Sequence, residues 1–331
     1  MENLSVEEAV KRICIYLKRD NFSPYFVVSD GASECAKLKN FFGENCLLGE
    51  PMARHTTYRT GGPAEVYVYP ATPQEWSFVL KLAESYQVAL HLIGFGSNIL
   101  VGSKGVRGIV CSTKRMQQIS VEGEYIKAQA GAALDKVCEM ACRAGLAGME
   151  KLSGIPGSVG GAVYMNAGAF GQETFDCLEY FDVLDKQGRP ATLLKKDLKY
   201  AYRHVEGIEN YIVLSAGFKL AKADFTQLTE TRNTILHKRI EKQPLEFPSA
   251  GSVFKRPAND YASRLIDDTG LRGLSVGGAK VSEKHAGFIV NFNHATPEDV
   301  HELMRQVRQK VKEKHGVELE LEQILWGEFD A

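Results

Sequence analysis

The segment SGIPGSVGGAVYMNAGAFG (153–171) constrains the fold of this chain more than any other feature. Its nineteen residues include six glycines and one proline but no charged residue. Glycine lets a backbone adopt conformations and close contacts that a side chain prevents, whereas a solvated surface loop is normally polar. The segment therefore predicts buried backbone. It either wraps around a flat polar ligand, with amides aimed at the ligand's heteroatoms, or packs as a tight turn between core elements.

A second glycine-containing loop, IGFGSNILV (93–101), brings Gly94, Gly96, Ser97 and Asn98 directly after an apolar run. Successive backbone amides in such a loop can form a nest for a diphosphate, although a plain strand-to-loop turn explains the stretch equally well. Ile99 stands where the dinucleotide-binding fingerprint needs its third glycine, and the Gly-Lys-Ser/Thr of a P-loop is missing. Two such segments in one domain favour a long dinucleotide such as FAD.

Charge and hydropathy narrow the class of protein. The 331 residues allow two domains, and 40 basic against 41 acidic residues leave a net charge of −1. This balance gives no whole-molecule field for nucleic acid or a membrane. No apolar run approaches the ~18 residues of a membrane-spanning helix, and the charged N-terminus lacks an apolar signal core. We therefore expect a cytoplasmic protein that binds neither nucleic acid nor membranes.

The seven cysteines are scattered and form no CxxC pair. Cys138 and Cys142 stand one helical turn apart, a spacing that can suggest a metal. Because no second ligand pair lies nearby, reduced buried thiols are the better interpretation, and we expect no metal site.

Local patterns predict a β-α-β unit that ends at the first glycine loop. AEVYVYP (64–70) alternates like a strand, and ALHLIG (89–94) reads as a second one. Between them, Thr72, Pro73 and Glu75 are typical of a helix start. The apolar residues at helical spacing that should form its inner face are Trp76, Val79, Leu80 and Ala83.

The same patterns divide the chain into three parts. Ser5 and Glu8 form a capping box at the start of an N-terminal helical extension, residues 1–47. Residues 48–222 form the predicted cofactor-binding domain. A long polar helix from Ala223 to Lys242 then opens a C-terminal domain, residues 223–331, whose last strand returns to the active site.

The C-terminal domain should end in a helix and a strand. Thr296 and Pro297 begin the helix, which turns Val300, Leu303, Met304, Val307 and Val311 inward and stops at Gly316. VELELEQILWG (317–327) alternates and reads as the final strand.

Seven stretches that occur in order carry a resemblance to a known family. They are HTTYRTGGPAEVYVYP (55–70), IGFGSNILV (93–101), LSGIPGSVGGAVYMNAGAFG (152–171), AYR (201–203), PSAGSVFKRP (248–257), LIDDTGLRGLSVGGAKVSEKHAGFIVN (265–291) and LELE (319–322). Together they resemble the UDP-N-acetylenolpyruvoylglucosamine reductase (MurB) family, in the form that lacks an extra tyrosine-bearing loop. The match runs from about residue 50 to 328, so only the N-terminal extension lies outside it.

The resemblance implies an α+β architecture: a vanillyl-alcohol-oxidase-like (PCMH-type) FAD-binding fold followed by an α+β substrate-binding domain. It implies a monomeric, NADPH-dependent flavoenzyme of peptidoglycan precursor synthesis. NADPH would give a hydride to FAD, and the reduced cofactor would pass it to UDP-N-acetylglucosamine enolpyruvate, which becomes UDP-N-acetylmuramate. The alternatives are another flavin oxidase or dehydrogenase on the same fold and a non-catalytic nucleotide-sugar binding protein.

Three positions match the family's catalytic residues. Arg203 would clamp the substrate carboxylate through its planar fork, Ser252 would give a proton to the α-carbon, and Glu322 would be protonated and hydrogen-bond the developing enolate. From the sequence alone, a surface arginine, a turn serine and a solvated strand-edge glutamate remain the open alternatives.

The resemblance also implies ligand-binding positions. Lys242, Lys255 and Arg256 would bind the phosphates of the substrate or of NADPH, although solvated lysines are an equal alternative, and Arg256 stands where the family usually has asparagine. The expected FAD-binding residues are Tyr58, Thr60, Gly94, Gly96, Ser97, Asn98, Ile99, Ser153, Gly154, Pro156, Gly157, Gly161, Ala162, Asn166, Gly168 and Ala169.

Overall fold

The computed structural model describes residues 41–330. The predicted N-terminal helix with its capping box at Ser5 and Glu8 lies outside the described residues. The domain boundaries expected at residues 47 and 222 stay a prediction.

The described residues mix strands and helices. The strands are β1 (Cys46–Pro51), β2 (Pro63–Val68), β3 (Leu90–Ile93), β4 (Ile99–Val101), β5 (Val106–Ser112), β6 (Ile119–Glu122), β7 (Tyr125–Gln129), β8 (Leu146–Ala147), β9 (Gly168–Ala169), β10 (Gln172–Glu173), β11 (Leu178–Asp185), β12 (Pro190–Leu194), β13 (Tyr200–Ala201), β14 (His204–Val205), β15 (Tyr211–Lys219), β16 (Ala221–Lys222), β17 (Ser275–Val276), β18 (Ala279–Val281), β19 (Ile289–Asn291) and β20 (Ile324–Trp326). The α-helices are α1 (Pro73–Tyr86), α2 (Leu134–Arg143), α3 (Val159–Tyr164), α4 (Thr174–Cys177), α5 (Phe225–Lys242), α6 (Ala262–Asp268) and α7 (Pro297–His315).

The predicted β-α-β unit is confirmed in the first sheet, whose strand order is β1-β2-β5-β3. Strands β2 and β3 both run parallel to β5, and α1 connects them. The Thr72 hydroxyl accepts a hydrogen bond from Glu75 N, and the Glu75 side chain bonds back to the cap backbone, so the expected start is a capping box. The predicted inner face of α1 is buried, with Trp76 fully covered.

A second, antiparallel sheet has the order β12-β11-β15-β7-β6. One face of this sheet packs on α2 and α3, which carry the buried residues Val137, Cys138, Val159 and Val163 into the largest apolar core. The glycine-rich segment packs against this sheet, and its first half forms the turn into α3. The five cysteines within the described residues are all buried.

The C-terminal part is built around α7 and the antiparallel sheet β17-β18-β19. Helix α7 begins at Pro297 after a capping box between Thr296 and Asp299, and ends at Gly316, which has a φ of +68°. Its five predicted inward residues are all buried. This core also contains Tyr58 and Leu100 from the N-terminal half, so the two halves share an apolar interface.

The final strand is shorter than the sequence indicates. Only Ile324–Trp326 form β20, which pairs in parallel with β4, beside the first glycine loop. Residues 317–320 are not a strand, and their two carboxylates pair with lysine side chains of the protein. Glu318 pairs with Lys312 at 2.9 Å, and Glu320 pairs with Lys255 at 3.4 Å. Among the helices of the described part, none is long and apolar enough to cross a bilayer.

Candidate active site

A cavity of about 1050 Å³ lies between the first two sheets and the C-terminal part. Its volume is at the upper end of the range for small-molecule sites. The predicted cofactor-binding residues that line it are Gly94, Gly96, Ser97, Asn98, Ile99, Pro156, Gly157, Gly161, Ala162, Gly168 and Ala169. Both glycine segments therefore face the same space, as the nest interpretation requires.

The two segments also touch each other. A Cβ built on Gly94 would lie 2.1 Å from Ser158 Oγ, so this crossing admits no side chain. At Gly157, by contrast, the nearest atoms to such a Cβ are 3.8 Å away, one of them Ser97 Oγ. The backbone amides of Ser97 and Asn98 donate to no protein acceptor within residues 41–330. Backbone amides without a protein acceptor, next to a glycine with free space around it, can bind an anion such as a diphosphate.

Tyr58 and Thr60 lie outside the cavity, in contrast to the expectation that they bind the cofactor. Tyr58 is fully buried, and its hydroxyl donates to Gln323 Oε1 at 3.0 Å. Burial raises the pKa of this phenol, so it remains a neutral donor. The carbonyl of Thr60 accepts from Thr56 Oγ1 at 2.9 Å. Neither residue lines the cavity, and their contact with the cofactor stays a prediction.

Ser153, Gly154 and Asn166 likewise do not line the cavity. The amide of Gly154 donates to Asp135 Oδ1 at 2.8 Å. The side chain of Asn166 donates to Glu173 Oε2 at 2.7 Å and accepts from the amide of Phe175 at 3.1 Å. The bonds of Gly154 and Asn166 fasten the glycine-rich segment, and cofactor binding by these three residues stays a prediction.

Arg203 and Glu322 meet across the cavity although 119 residues separate them. Arg203 Nε donates to Glu322 Oε1 at 2.7 Å, and the two side chains are only 14% and 12% exposed. The other guanidinium nitrogens donate to the carbonyls of Asn166 at 3.2 Å and Gly168 at 2.8 Å. Arg203 has a φ of +56°, a strained conformation for a residue with a side chain. Such a strained conformation persists where the surrounding contacts hold the residue in place.

Ser252 lies beside this pair on an extended segment. It follows Gly251, which has a φ of +75°. The amide of Glu322 donates to the carbonyl of Val253 at 2.9 Å, which fixes the glutamate next to the serine segment. Asn98 Nδ2 donates to the carbonyl of Glu322 at 3.0 Å. Arg203, Ser252 and Glu322 all line the cavity, so the structure brings the three predicted residues together.

Tyr202 is a residue that the sequence did not single out. Its hydroxyl donates to Glu322 Oε2 at 3.3 Å, and its ring lies 4.8 Å from the Arg203 guanidinium and 5.3 Å from that of Arg256. Burial, followed by the charge of Glu322, raises the pKa of Tyr202. Its position next to Arg203 in the AYR stretch was the only available signal.

The three side chains predicted to bind phosphate do not lie together: one lines the cavity and two do not. Arg256 lines the cavity, where its guanidinium lies 4.9 Å from the ring of Tyr261 and also stacks on Tyr202. Lys242 is exposed at the end of α5, and Lys255 forms its exposed pair with Glu320; neither lines the cavity. Residues 254 to 256 alternate between two faces of an extended segment, so Lys255 must face away from the cleft that Arg256 enters.

Comparisons with known proteins agree with this architecture. Residues 64–193 match the model of an FAD binding domain, and residues 243–326 match the model of the UDP-N-acetylenolpyruvoylglucosamine reductase C-terminal domain. The enzyme of that name from Clostridium botulinum (strain Okra) is 44% identical over 286 residues, which are 86% of this chain and 93% of the relative. The chain belongs to the UDP-N-acetylenolpyruvoylglucosamine reductase family. The Caldanaerobacter subterraneus member is 42% identical over 88% of this chain and 97% of its own length.

A solved member of the family has the same fold. The crystal structure of UDP-N-acetylenolpyruvylglucosamine reductase (MurB) from Thermus caldophilus matches with a TM-score of 0.73 and 33% identity. The match covers 85% of this chain and 98% of the other. The expected α+β class and FAD-binding fold are thereby confirmed. The fit of FAD to this chain is supported by the glycine crossing at Gly94, the free amides of Ser97 and Asn98, and the size of the cavity.

Proposed function

We propose that this chain reduces UDP-N-acetylglucosamine enolpyruvate to UDP-N-acetylmuramate, with bound FAD and with NADPH as the hydride source. The observation that carries the proposal is the meeting of Arg203, Ser252 and Glu322 in a cavity that both glycine segments also line. Family membership supports the same reaction, a step in peptidoglycan precursor synthesis. The scheme needs only a cation, a proton donor and the cofactor.

Arg203 supplies the cation. FAD, when bound, takes a hydride from NADPH and delivers it to the substrate. The hydride adds to the terminal carbon of the enolpyruvyl double bond, so negative charge collects on the α-carbon and its carboxylate. A guanidinium has five N–H groups, and three of those of Arg203 are held by Glu322, Asn166 and Gly168. The remaining two can bind the substrate carboxylate and stabilise this charge as it develops.

Ser252 supplies the proton that completes the lactyl ether. Its hydroxyl has no hydrogen-bond partner within the described residues, although it lines the cavity. A serine hydroxyl is a weak acid, and its proton moves only because the α-carbanion is strongly basic and the serine is held in line. Gly251 and the bond from Glu322 to the next carbonyl provide that alignment.

Glu322 orients this group of residues. One carboxyl oxygen accepts from Arg203 and the other from Tyr202. The prediction that it carries a proton and donates to the enolate stays a prediction, and it requires one of these two bonds to open when substrate binds.

The remaining assignments concern partners and location. Arg256, between two tyrosine rings at the cavity mouth, would bind the diphosphate end of the nucleotide sugar. The chain would act as a cytoplasmic monomer on soluble small molecules and bind no nucleic acid, in agreement with its net charge of −1.

The test separates the two half-reactions. In Ser252→Ala, NADPH should reduce the bound FAD at the parent rate, whereas substrate should reoxidise it ~10²–10⁴-fold more slowly, the usual contribution of general acid catalysis. Ser252→Cys, which keeps an acidic proton, should recover part of the rate, and Ser275→Ala on the exposed surface serves as the control. Reoxidation of Ser252→Ala at the parent rate would remove Ser252 from this role.

The same measurements decide between the alternatives. A purified protein without the yellow flavin absorption band would indicate a nucleotide-sugar binding protein. A flavoprotein whose NADPH consumption does not depend on the enolpyruvyl sugar would indicate a different oxidoreductase on the same fold.

A further inference from the structure

Gln323 is a buried amide next to the catalytic candidates. Its residue is 3% exposed and does not line the cavity, although Glu322, directly before it, does. The side-chain nitrogen of Gln323 donates to the carbonyls of Ala250 at 3.0 Å and Gly251 at 3.3 Å. Its oxygen accepts from the Tyr58 hydroxyl at 3.0 Å. The amide therefore joins three segments of the chain in the core.

The chemistry of these partners allows only one orientation of the amide. Backbone carbonyls accept hydrogen bonds and cannot donate, so the nitrogen of Gln323 must face Ala250 and Gly251. The oxygen then faces the phenol of Tyr58, which stays protonated because burial raises its pKa. Each N–H and O–H of this group has an acceptor. A fully satisfied buried network is rigid and fixes a single arrangement.

The bond to Gly251 acts on the proposed proton donor. The carbonyl of Gly251 and the amide of Ser252 belong to one planar peptide unit, so a bond to this carbonyl fixes the plane from which Ser252 projects. A Cβ built on Gly251 would meet no atom within 4 Å, so packing at that position does not restrain the turn. On the other side of the serine, the amide of Val253 donates to the carbonyl of Gly287 at 3.0 Å. Hydrogen bonds therefore hold Ser252 from both sides, and Gln323 provides one of them.

Tyr58 connects this network to the first glycine loop. The amide of Thr57, directly before it, donates to the carbonyl of Gly96 at 3.2 Å. Gly96 belongs to the loop that lines the cavity and is expected to hold the cofactor. The bond between Tyr58 and Gln323 therefore links the cofactor loop to the segment that carries Ser252.

We propose that Gln323 is a positioning residue for the protonation step: it aligns Ser252 with the α-carbon of the substrate and fixes the chain next to Glu322. Proton transfer from a weak acid depends steeply on the geometry of donor and acceptor, and a displacement of about 1 Å can slow a reaction ~10²-fold. Hydride transfer from NADPH to the cofactor does not use Ser252, so it should not depend on Gln323. This inference rests on the proposed function.

The experiment measures the two half-reactions separately in the FAD-loaded protein. Gln323→Met keeps the length of the side chain and removes its three hydrogen bonds. In this variant, NADPH should reduce the FAD within twofold of the parent rate. Reoxidation by UDP-N-acetylglucosamine enolpyruvate should be at least tenfold slower. Its solvent deuterium isotope effect should be larger than that of the parent, because proton transfer then limits the rate.

Tyr58→Phe is a milder variant, since it removes only the hydroxyl that donates to Gln323. It should slow reoxidation at least threefold, but less than Gln323→Met, and leave FAD reduction within twofold of the parent. If Gln323→Met does not fold, this variant decides the question.

Thr269→Val is the matched control. It removes a hydroxyl that donates to the carbonyl of Leu265 at 2.6 Å in the same C-terminal part, and Thr269 does not line the cavity. This variant should lower the midpoint of urea unfolding and leave both half-reactions within twofold of the parent.

Two outcomes would overturn the inference. A lower urea midpoint in Gln323→Met or Tyr58→Phe, with both half-reactions at the parent rate, would show that the amide only stabilises the fold. Equal slowing of reduction and reoxidation would show a general distortion of the site. Failure of the proposed function itself would be seen separately, as a parent protein whose reduced FAD is not reoxidised by the enolpyruvyl sugar.

Discussion

Substituting Gly94 by alanine tests whether the two glycine segments cross as the structure describes. The added Cβ would lie 2.1 Å from Ser158 Oγ and 3.1 Å from Ser158 Cβ. Gly94 has no left-handed backbone angle, so the effect would be steric. The Ser158 hydroxyl cannot move away without cost, because it caps α3 by accepting from the amide of Gly161 at 3.2 Å.

The magnitude follows from this overlap. Overfilling a packed site costs ~1–3 kcal/mol. If the crossing forms only when FAD binds, the dissociation constant for FAD should rise by ~5- to 140-fold, at about 1.4 kcal/mol per tenfold. If the segments cross in the FAD-free protein as well, part of the same cost should appear in its free energy of unfolding.

A double-mutant cycle identifies the contact. Ser158→Ala alone should cost ~1 kcal/mol through loss of the cap. In the Gly94→Ala background, however, Ser158→Ala removes the Oγ that lies 2.1 Å from the new Cβ and leaves only the Ser158 Cβ at 3.1 Å. The double variant should therefore be at least ~1 kcal/mol more stable than the sum of the two single costs predicts. Urea unfolding and quenching of FAD fluorescence on titration into apoprotein provide the two free energies. Costs that add within ~0.5 kcal/mol would refute the crossing.

Four further substitutions, two of them compared as a pair, test the placement of other residues. Arg256→Met should raise KM for the nucleotide sugar at least tenfold and Lys255→Met less than threefold, because only Arg256 enters the cavity; steady-state kinetics that gave equal effects would contradict this. Gly157→Ala should leave the unfolding free energy of the apoprotein within ~0.5 kcal/mol of the parent, since the added Cβ meets no atom within 3.8 Å, yet weaken FAD binding if the cofactor passes over it. Leu303→Ala, in the core of α7, should cost ~2–5 kcal/mol in urea unfolding, and a loss below ~1 kcal/mol would mean that this helix is not packed as described.

The elements that local chemistry specifies were predictable from the sequence. Helices α1 and α7 begin where Thr72 and Thr296 provide caps, and α7 stops at Gly316. Each of these signals acts within one helical turn, so no knowledge of the rest of the molecule is needed. The sheet order is a different matter: β5 lies between β2 and β3, although the chain reaches it after both.

The resemblance supplied the three catalytic candidates, and the side chains around them were harder to assign. Lys242 and Lys255 were chosen for their charge, but Lys242 is exposed, Lys255 pairs with Glu320, and neither lines the cavity. Arg239, three residues before Lys242 on the same helix, is buried in the cavity wall. On a polar helix such as α5, the sequence does not tell which of several cations faces inward, because that depends on where Ser153 and Phe170 pack against it.

The glutamates of LELE illustrate the physical origin of this limit. Glu318, Glu320 and Glu322 alternate along the chain and look equivalent, yet the first two pair with exposed lysines and only Glu322 meets Arg203. The difference is produced by the bond from the Glu322 amide to the carbonyl of Val253, which fixes the register between two segments about 70 residues apart. A shift of that register by one residue would turn the Glu322 side chain away from Arg203 and leave the arginine buried without its carboxylate. Long-range register therefore decides which carboxylate belongs to the site.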